Sequence, residues 1–552
     1  MRKTLIALTA ALLTSPAPAE TLITNANGVQ ADAAGHLQHF TGLLIGDDGK
    51  VEEVLNGPPP AVRYPHIIDA SGRTLLPGLI DAHGHVIDLG VAALTLDLVG
   101  TQSVADLQQR LRSYATERPK DGWLIGFGWN QELWADKSYP TAAELDEIVP
   151  DRPVMLERVD GHAILVNSAA IRAAGVTAAT RDPAGGKIER DAAGNPTGLF
   201  VDAARALIES KVPAATSARS DEALEKAQEK LLSFGVTGVG AMSVSEADWD
   251  TFRRAGDAGR LRVRLMAYEL NHPFASTPRP TGWLYGDHLR AVGVKLFADG
   301  ALGSRGAWLK QPYADKPDTR GLPRHSDAEI LALADAAAGA GFQVATHAIG
   351  DAANAQAISV YEQLSRKYGT ARRWRIEHFQ IVDPADIPRL APAGIIASMQ
   401  PTHQTSDRLM AEARLGPNRL AGAYAWQTVL KSGAKLAFGT DFPVESPNPF
   451  PGLAAGISRQ DMSGQPPGGW IPSERLTFGQ ALHAYTRGAA YAGFAEDKIG
   501  ALEPGKWADF VIIDRDPTKV DAQSLARAQV LETWVAGKQV FSRASGAPER
   551  GQ

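Results

Sequence analysis

Eight short apolar runs, at residues 75–80, 236–241, 263–268, 292–297, 343–346, 375–377, 395–399 and 435–438, constrain this chain more than any other feature. Stretches rich in Ala, Leu, Glu and Arg with helical periodicity, such as 220–234 and 328–341, separate several of them. Eight parallel strands with intervening helices predict an α/β fold, a (β/α)8 TIM barrel, whose catalytic groups sit at the strand C-termini. The stretch from about 101 to 230 is too long for one strand-to-helix connection and carries its own strand near 153–159, so it reads as an insertion over the barrel mouth.

The two ends of the chain have a different texture. Residues 20–76 and 501–545 are short β-strands broken by Gly, Asp, Asn and Pro clusters such as Gly46-Asp47-Asp48-Gly49. Neither piece can bury a good core alone, so the two are expected to pair as one flanking β-sandwich domain, leaving 77–500 to the barrel.

At 552 residues and 44% apolar content the chain has ample material for a large core. A net charge of −6 with no basic cluster argues against a nucleic-acid partner. Residues 1–19 combine Met1-Arg2-Lys3, the apolar run 5–13 and Ala17-Pro18-Ala19, the pattern of a signal peptide, so export to the periplasm or medium is expected. That run is too short for a permanent membrane span. The chain has no cysteine, hence no disulfide, no thiolate nucleophile and no lipoprotein anchor, and any metal must be held by nitrogen and oxygen.

The thirteen histidines are not spread evenly in role. Leu79-Ile80-Asp81-Ala82-His83-Gly84-His85 ends the first run in two histidines at i, i+2, which a strand points to one face. Gly84 between them leaves room for an ion or substrate to approach the main chain. His347 ends the fifth run, His378 the sixth, and Asp441 follows the eighth. On a barrel rim these side chains converge on one point and make a zinc-class site with open positions for water. In the fourth run Lys295 stands alone among apolar residues. It either snorkels outward, pairs with Asp299, or stays buried, where its ammonium form is disfavoured and the neutral amine can take up carbon dioxide as a carbamate able to bridge two metals.

The substrate-facing candidates carry two readings each. Asp160 and His162 either reach over the mouth or bond one another. Arg305 offers its planar fork to a substrate carboxylate or to Asp299. Gln400 and His403 are placed to hydrogen-bond a carbonyl, and Trp129 with Trp134 forms either an aromatic wall or plain core. His483, in a late helical stretch, is expected in a core or capping role.

Taken together, the entry Leu76-Pro77-Gly78-Leu79-Ile80-Asp81-Ala82-His83-Gly84-His85, the lone lysine, the two later histidines and the final aspartate resemble the amidohydrolase superfamily of metal-dependent hydrolases. Trp123-Leu124-Ile125-Gly126-Phe127-Gly128-Trp129, Arg158-Val159-Asp160-Gly161-His162 and the run from Lys295 to Arg305 are similar to its amidohydrolase-3 branch, which includes N-substituted formamide deformylase-like proteins. The resemblance implies one or two divalent ions, usually Zn2+, with His83, His85 and Asp441 on the more buried ion. It places His347 and His378 on the outer ion and carboxylated Lys295 between them. It further implies hydrolysis of a C–N bond in a small amide-type molecule by a metal-activated water, with Asp441 as general base. A dipeptidase, a lactonase or esterase, a deaminase and a catalytically silent metal-binding protein are the competing expectations, and a homodimer is left open.

Overall fold

The computed structural model describes residues 21–59, 64–117, 122–159, 161, 163–183, 186–213 and 216–543. The stretch read as a signal peptide, and Asp160 and His162, lie outside the described residues.

All eight expected barrel strands form one parallel sheet in chain order: Leu79–Gly84, Val236–Val244, Arg264–Leu270, Leu289–Phe297, Gln343–Ala348, Arg375–His378, Ile396–Met399 and Lys435–Phe438. Several strand ends shift by a few residues, and one difference changes which sheet a segment joins. The apolar run from Leu75 serves two sheets, because Thr74–Pro77 joins the flanking domain and the barrel strand begins only at Leu79. The switch falls at Gly78, where a Cβ would sit 2.3 Å from Thr237 Oγ1, so no larger residue fits between the two sheets.

The seam between the first and eighth strands is closed without a regular ladder. Asp441 N donates to His83 O and His85 N to Phe442 O, both at 2.8 Å. Buried Asp81 ties the same seam: its carboxylate accepts from Thr440 Oγ1 at 2.7 Å, from Thr440 N at 3.1 Å and from His83 N at 3.0 Å. Gly439 is required there, since a Cβ would lie 2.5 Å from Asp81 Oδ1.

The flanking domain is two sheets. One has four strands, all from the N-terminal segment; the other orders Lys538–Ser542, Val530–Val535, Phe510–Ile513, Thr74–Pro77, Asn27–Ala31 and Leu37–Phe40, and so interleaves both ends of the chain. Ile23, Leu43, Leu75, Phe510, Ile512 and Trp534 pack between them. A buried bidentate pair, Arg264 Nε to Asp509 Oδ2 at 2.7 Å and Nη2 to Oδ1 at 3.0 Å, fastens this domain to the third barrel strand.

The insertion is richer than one strand. It is a six-stranded mixed sheet whose Val154–Arg158 strand brings Glu157 into the field of Asp88, in the first turn of the helix after His85. Trp129 and Trp134 belong to its core. Trp129 is fully buried and donates its indole N–H to Leu156 O at 2.9 Å, so the aromatic-wall reading gives way to packing. Among the described residues no helix is long and apolar enough to cross a membrane.

Candidate metal centre

The barrel strands deliver their terminal side chains to one point. On the first strand the i, i+2 spacing sets the His83 and His85 rings 5.5 Å apart on one face. Gly84 between them makes room for a ring rather than for an ion: a Cβ there would lie 2.3 Å from Phe442. On the sixth strand Arg375 and Glu377 share the inward face, and alternation would turn His378 outward. A φ of +72° at His378 breaks the alternation and brings it in as well. Asp441 has a φ of +62°, another sparsely populated backbone state held where polar groups must converge.

The resulting distances are short. His83 Nε2 lies 3.3 Å and His85 Nε2 3.1 Å from Asp441 Oδ1. The His378 ring centre is 4.8 Å from that of His83 and 4.6 Å from that of His347. Ligand atoms of His83, His378 and Asp441 all fall within 4.8 Å of one another. Lys295 is 1% exposed and points inward, its Nζ 3.3 Å from His83 Nε2, so it neither reaches solvent nor pairs with Asp299.

His83 and His378 each have an acceptor on the far side of the ring. His83 Nδ1 is 2.7 Å from Glu377 Oε2, and His378 Nδ1 is 2.9 Å from Gln400 Oε1. An oxygen acceptor requires each imidazole to donate from Nδ1, which leaves Nε2 with a free lone pair. His347 turns Nε2 toward buried Asp299 at 3.5 Å. Asp299 itself accepts backbone N–H groups of Trp308, Ile349 and Gly350.

Electrostatics favour the ligand forms. Burial, then the Lys295 charge, lowers the His83 imidazole to about 4. Burial also holds His347 and His378 well below the ordinary value, so all three are neutral donors near pH 7. Burial raises the Asp441 carboxyl, but the adjacent His83 and the His85 hydrogen bond outweigh it and keep the group ionised. Burial lowers Lys295 to about 8 against the opposing pull of Glu377 and Asp441.

The remaining candidates divide. His403 arrives on the helix Pro401–Leu415 after the seventh strand and stacks on His378, with Nε2 3.8 Å from Asp441 Oδ2. Gln400 commits its oxygen to His378, while its Nε2 has no hydrogen-bond partner among the described residues. Arg305 is committed to a surface pair: its guanidinium bonds Asp315 at 2.8 Å rather than Asp299. Glu377, Arg375, Asp81 and Asp299 were not singled out from the sequence, although three polar residues in a row of four on a buried strand, Arg375-Ile376-Glu377-His378, were the available signal.

The donor set fits a divalent cation. It is all nitrogen and carboxylate oxygen, burial keeps His83, His347 and His378 neutral, and His347 Nε2 and His403 Nε2 are buried with no hydrogen-bond partner among the described residues.

Comparison with known proteins agrees with this reading. A family model described as the amidohydrolase family matches residues 66–541. The Arabidopsis thaliana protein LONG AFTER FAR-RED 3 is 34% identical over 495 residues, covering 86% of this chain and 83% of that protein. N-substituted formamide deformylase of Arthrobacter pascens is 29% identical over 547 residues, covering 95% and 98%. The crystal structure of an uncharacterized metal-dependent hydrolase from Pyrococcus furiosus superimposes with a TM-score of 0.71 at 30% identity, covering 90% of this chain and all of that one.

Proposed function

The chain is a metal-dependent hydrolase of the amidohydrolase family, and on that premise we propose that it cleaves an amide-type C–N bond, N-formyl or N-acyl, of a small molecule. The observation that carries the proposal is the convergence of His83, His378 and Asp441 within 4.8 Å at the C-terminal ends of barrel strands, with His85, His347 and Lys295 beside them. These six residues would hold one or two divalent ions, Zn2+ by the chemistry of the donors. Such an ion supplies Lewis acidity, acidifying a water and polarising the scissile carbonyl.

The protein's own groups do the rest. Asp441 is kept anionic and has one oxygen, Oδ1, facing His83 and His85. Its other oxygen, Oδ2, faces His403 and is placed to accept the proton of the attacking water and return it to the leaving nitrogen. Gln400 and His403 border the same space and are proposed to hydrogen-bond the substrate. Lys295, with its amine near 8, is proposed to add carbon dioxide across an N–H bond, releasing one proton and leaving a carbamate between the two halves of the histidine set. A formamide or N-acyl substrate is favoured by the relatedness to N-substituted formamide deformylase over nearly the whole chain.

The test is a panel of N-formyl and N-acyl amines, dipeptides, lactones and aminopurines, scored separately for free amine and for ammonia. Chelator-sensitive release of amine with carboxylate is expected. Ammonia release from aminopurines alone, or inert metal-loaded protein across the panel, would overturn the proposal.

A further inference from the structure

Beneath the centre runs a chain of buried polar contacts that the hydrolytic reading does not use. Arg375 donates Nε to Glu377 Oε1 at 2.7 Å and Nη2 to Glu377 Oε2 at 3.0 Å. The same guanidinium donates to Tyr268 Oη at 2.7 Å, Ala82 O at 2.8 Å and Ser398 Oγ at 3.0 Å, so residues of the first, third and seventh strands hold it. Arg375 is 1% exposed, and Glu377 and His83 are wholly buried. Glu377 then passes the contact across the barrel: its Oε2 takes the His83 Nδ1–H at 2.7 Å.

We infer that Glu377 is a positioning residue for the metal centre, locking His83 in the tautomer and ring orientation that present Nε2 to the ion, with Arg375 fixing Glu377 in turn. The inference rests on the metal reading proposed above. Three observations carry it. The Arg375–Glu377 pair is already bidentate, so an ion pair for stability alone has no need of a third partner from the opposite strand. The third partner is a residue of the converging set, and the nitrogen Glu377 occupies is the one facing away from Asp441 and Lys295. A carboxylate accepts only, so His83 must carry its proton on Nδ1, and Nε2 stays a lone pair whichever other groups surround it. Arg375 offers only N–H donors, one to each Glu377 oxygen, so both oxygens serve as acceptors.

A glutamine at 377 has one oxygen and cannot face both Arg375 and His83 as acceptor. Glu377→Gln is therefore expected to weaken Zn2+ affinity about 10–100-fold, measured on metal-free protein by competition with a chromophoric chelator. Asp509→Ala unpairs the buried Arg264 without touching the His83–Glu377–Arg375 chain, so it should lower the urea midpoint and leave Zn2+ affinity unchanged. A metal-free readout accompanies these. In 15N-histidine-labelled apo wild type, the His83 signal, assigned by its loss in His83→Asn, should show Nδ1 protonated and Nε2 bare. Should Glu377→Gln fail to fold, that spectrum decides by itself. Folded Glu377→Gln with wild-type Zn2+ affinity, or His83 protonated on Nε2, overturns the inference. Wild-type protein that takes up no divalent ion at all brings down the metal reading, and the positioning role with it.

Discussion

Lys295 Nζ stands 3.3 Å from His83 Nε2, a lysine donor aimed at the lone pair that a metal would use. An ion can occupy that position only if the ammonium gives up its proton. Lys295→Ala is expected to lower bound metal and turnover together, by at least about tenfold in activity given the weight of groups around a metal. A small carboxylic acid should restore part of both by filling the vacated bridge, whereas Lys295→Arg should not, since guanidinium stays cationic. Metal stoichiometry and kcat at wild-type levels in Lys295→Ala would refute the bridging role.

Metal binding requires the deprotonated forms of its histidine and lysine ligands, so it releases protons and depends on the ion's supply. Exhaustive chelation should abolish turnover, and Zn2+ should restore it. Full activity in demetallated protein would refute the hydrolytic scheme.

Asp441→Asn keeps the size of the side chain and removes its basicity. Turnover should fall about 10²- to 10⁴-fold, the usual cost of losing a general base. Metal analysis of the same sample separates this from loss of a ligand: a full complement of metal with wild-type kcat would exclude the proton-transfer role.

Asp509 is the sole carboxylate bonded to the fully buried Arg264 guanidinium, among the described residues. Asp509→Ala leaves that charge uncompensated and should cost about 3–5 kcal/mol in denaturant unfolding, while Arg264→Met with Asp509→Leu should come much closer to wild type. Equal losses in the single and double variants would show that packing, not charge, holds the two domains.

His483 closes the helix Phe478–His483, partly buried, and burial followed by Arg487 and Lys435 lowers its imidazole to about 4. The unfolded chain takes up this proton near pH 6.5 and the folded chain resists until about 4. Its contribution is thus intact above pH 6.5 and is lost as the pH falls toward 4. After allowance for partial exposure, His483→Gln should recover about 1–2 kcal/mol across that window. A stability gap between the two proteins that is flat from pH 7.5 to 4.5 would count against this assignment.

The eight barrel strands were legible because buried parallel strands are nearly uninterrupted apolar runs, and turn residues bound them. The run at Leu75 misled at one end, since apolarity does not say which of two sheets a segment joins; only the Gly78–Thr237 approach does. His83, His85, His347, His378 and Asp441 were visible as polar residues at the ends of such runs. Glu377 was not, because its partner His83 lies 294 residues away and only the closed barrel brings them together. Trp129 and Arg305 were ambiguous for a related reason: an indole and a guanidinium serve a core or an ion pair as readily as a ligand, and Leu156 O and Asp315 decide the matter.

The strand Thr74–Pro77 pairs on one side with Asn27–Ala31 and on the other with Phe510–Ile513. During synthesis its second edge must wait for a partner about 430 residues further on, on the order of a minute at roughly 5–20 residues per second. Through that interval Leu75 and Leu76 present an open apolar β-edge, and the flanking domain is the last part of the molecule able to complete itself. Vectorial folding therefore leaves this enzyme most exposed to misassociation before its final strands emerge, and truncation within them should yield aggregates rather than a smaller soluble barrel.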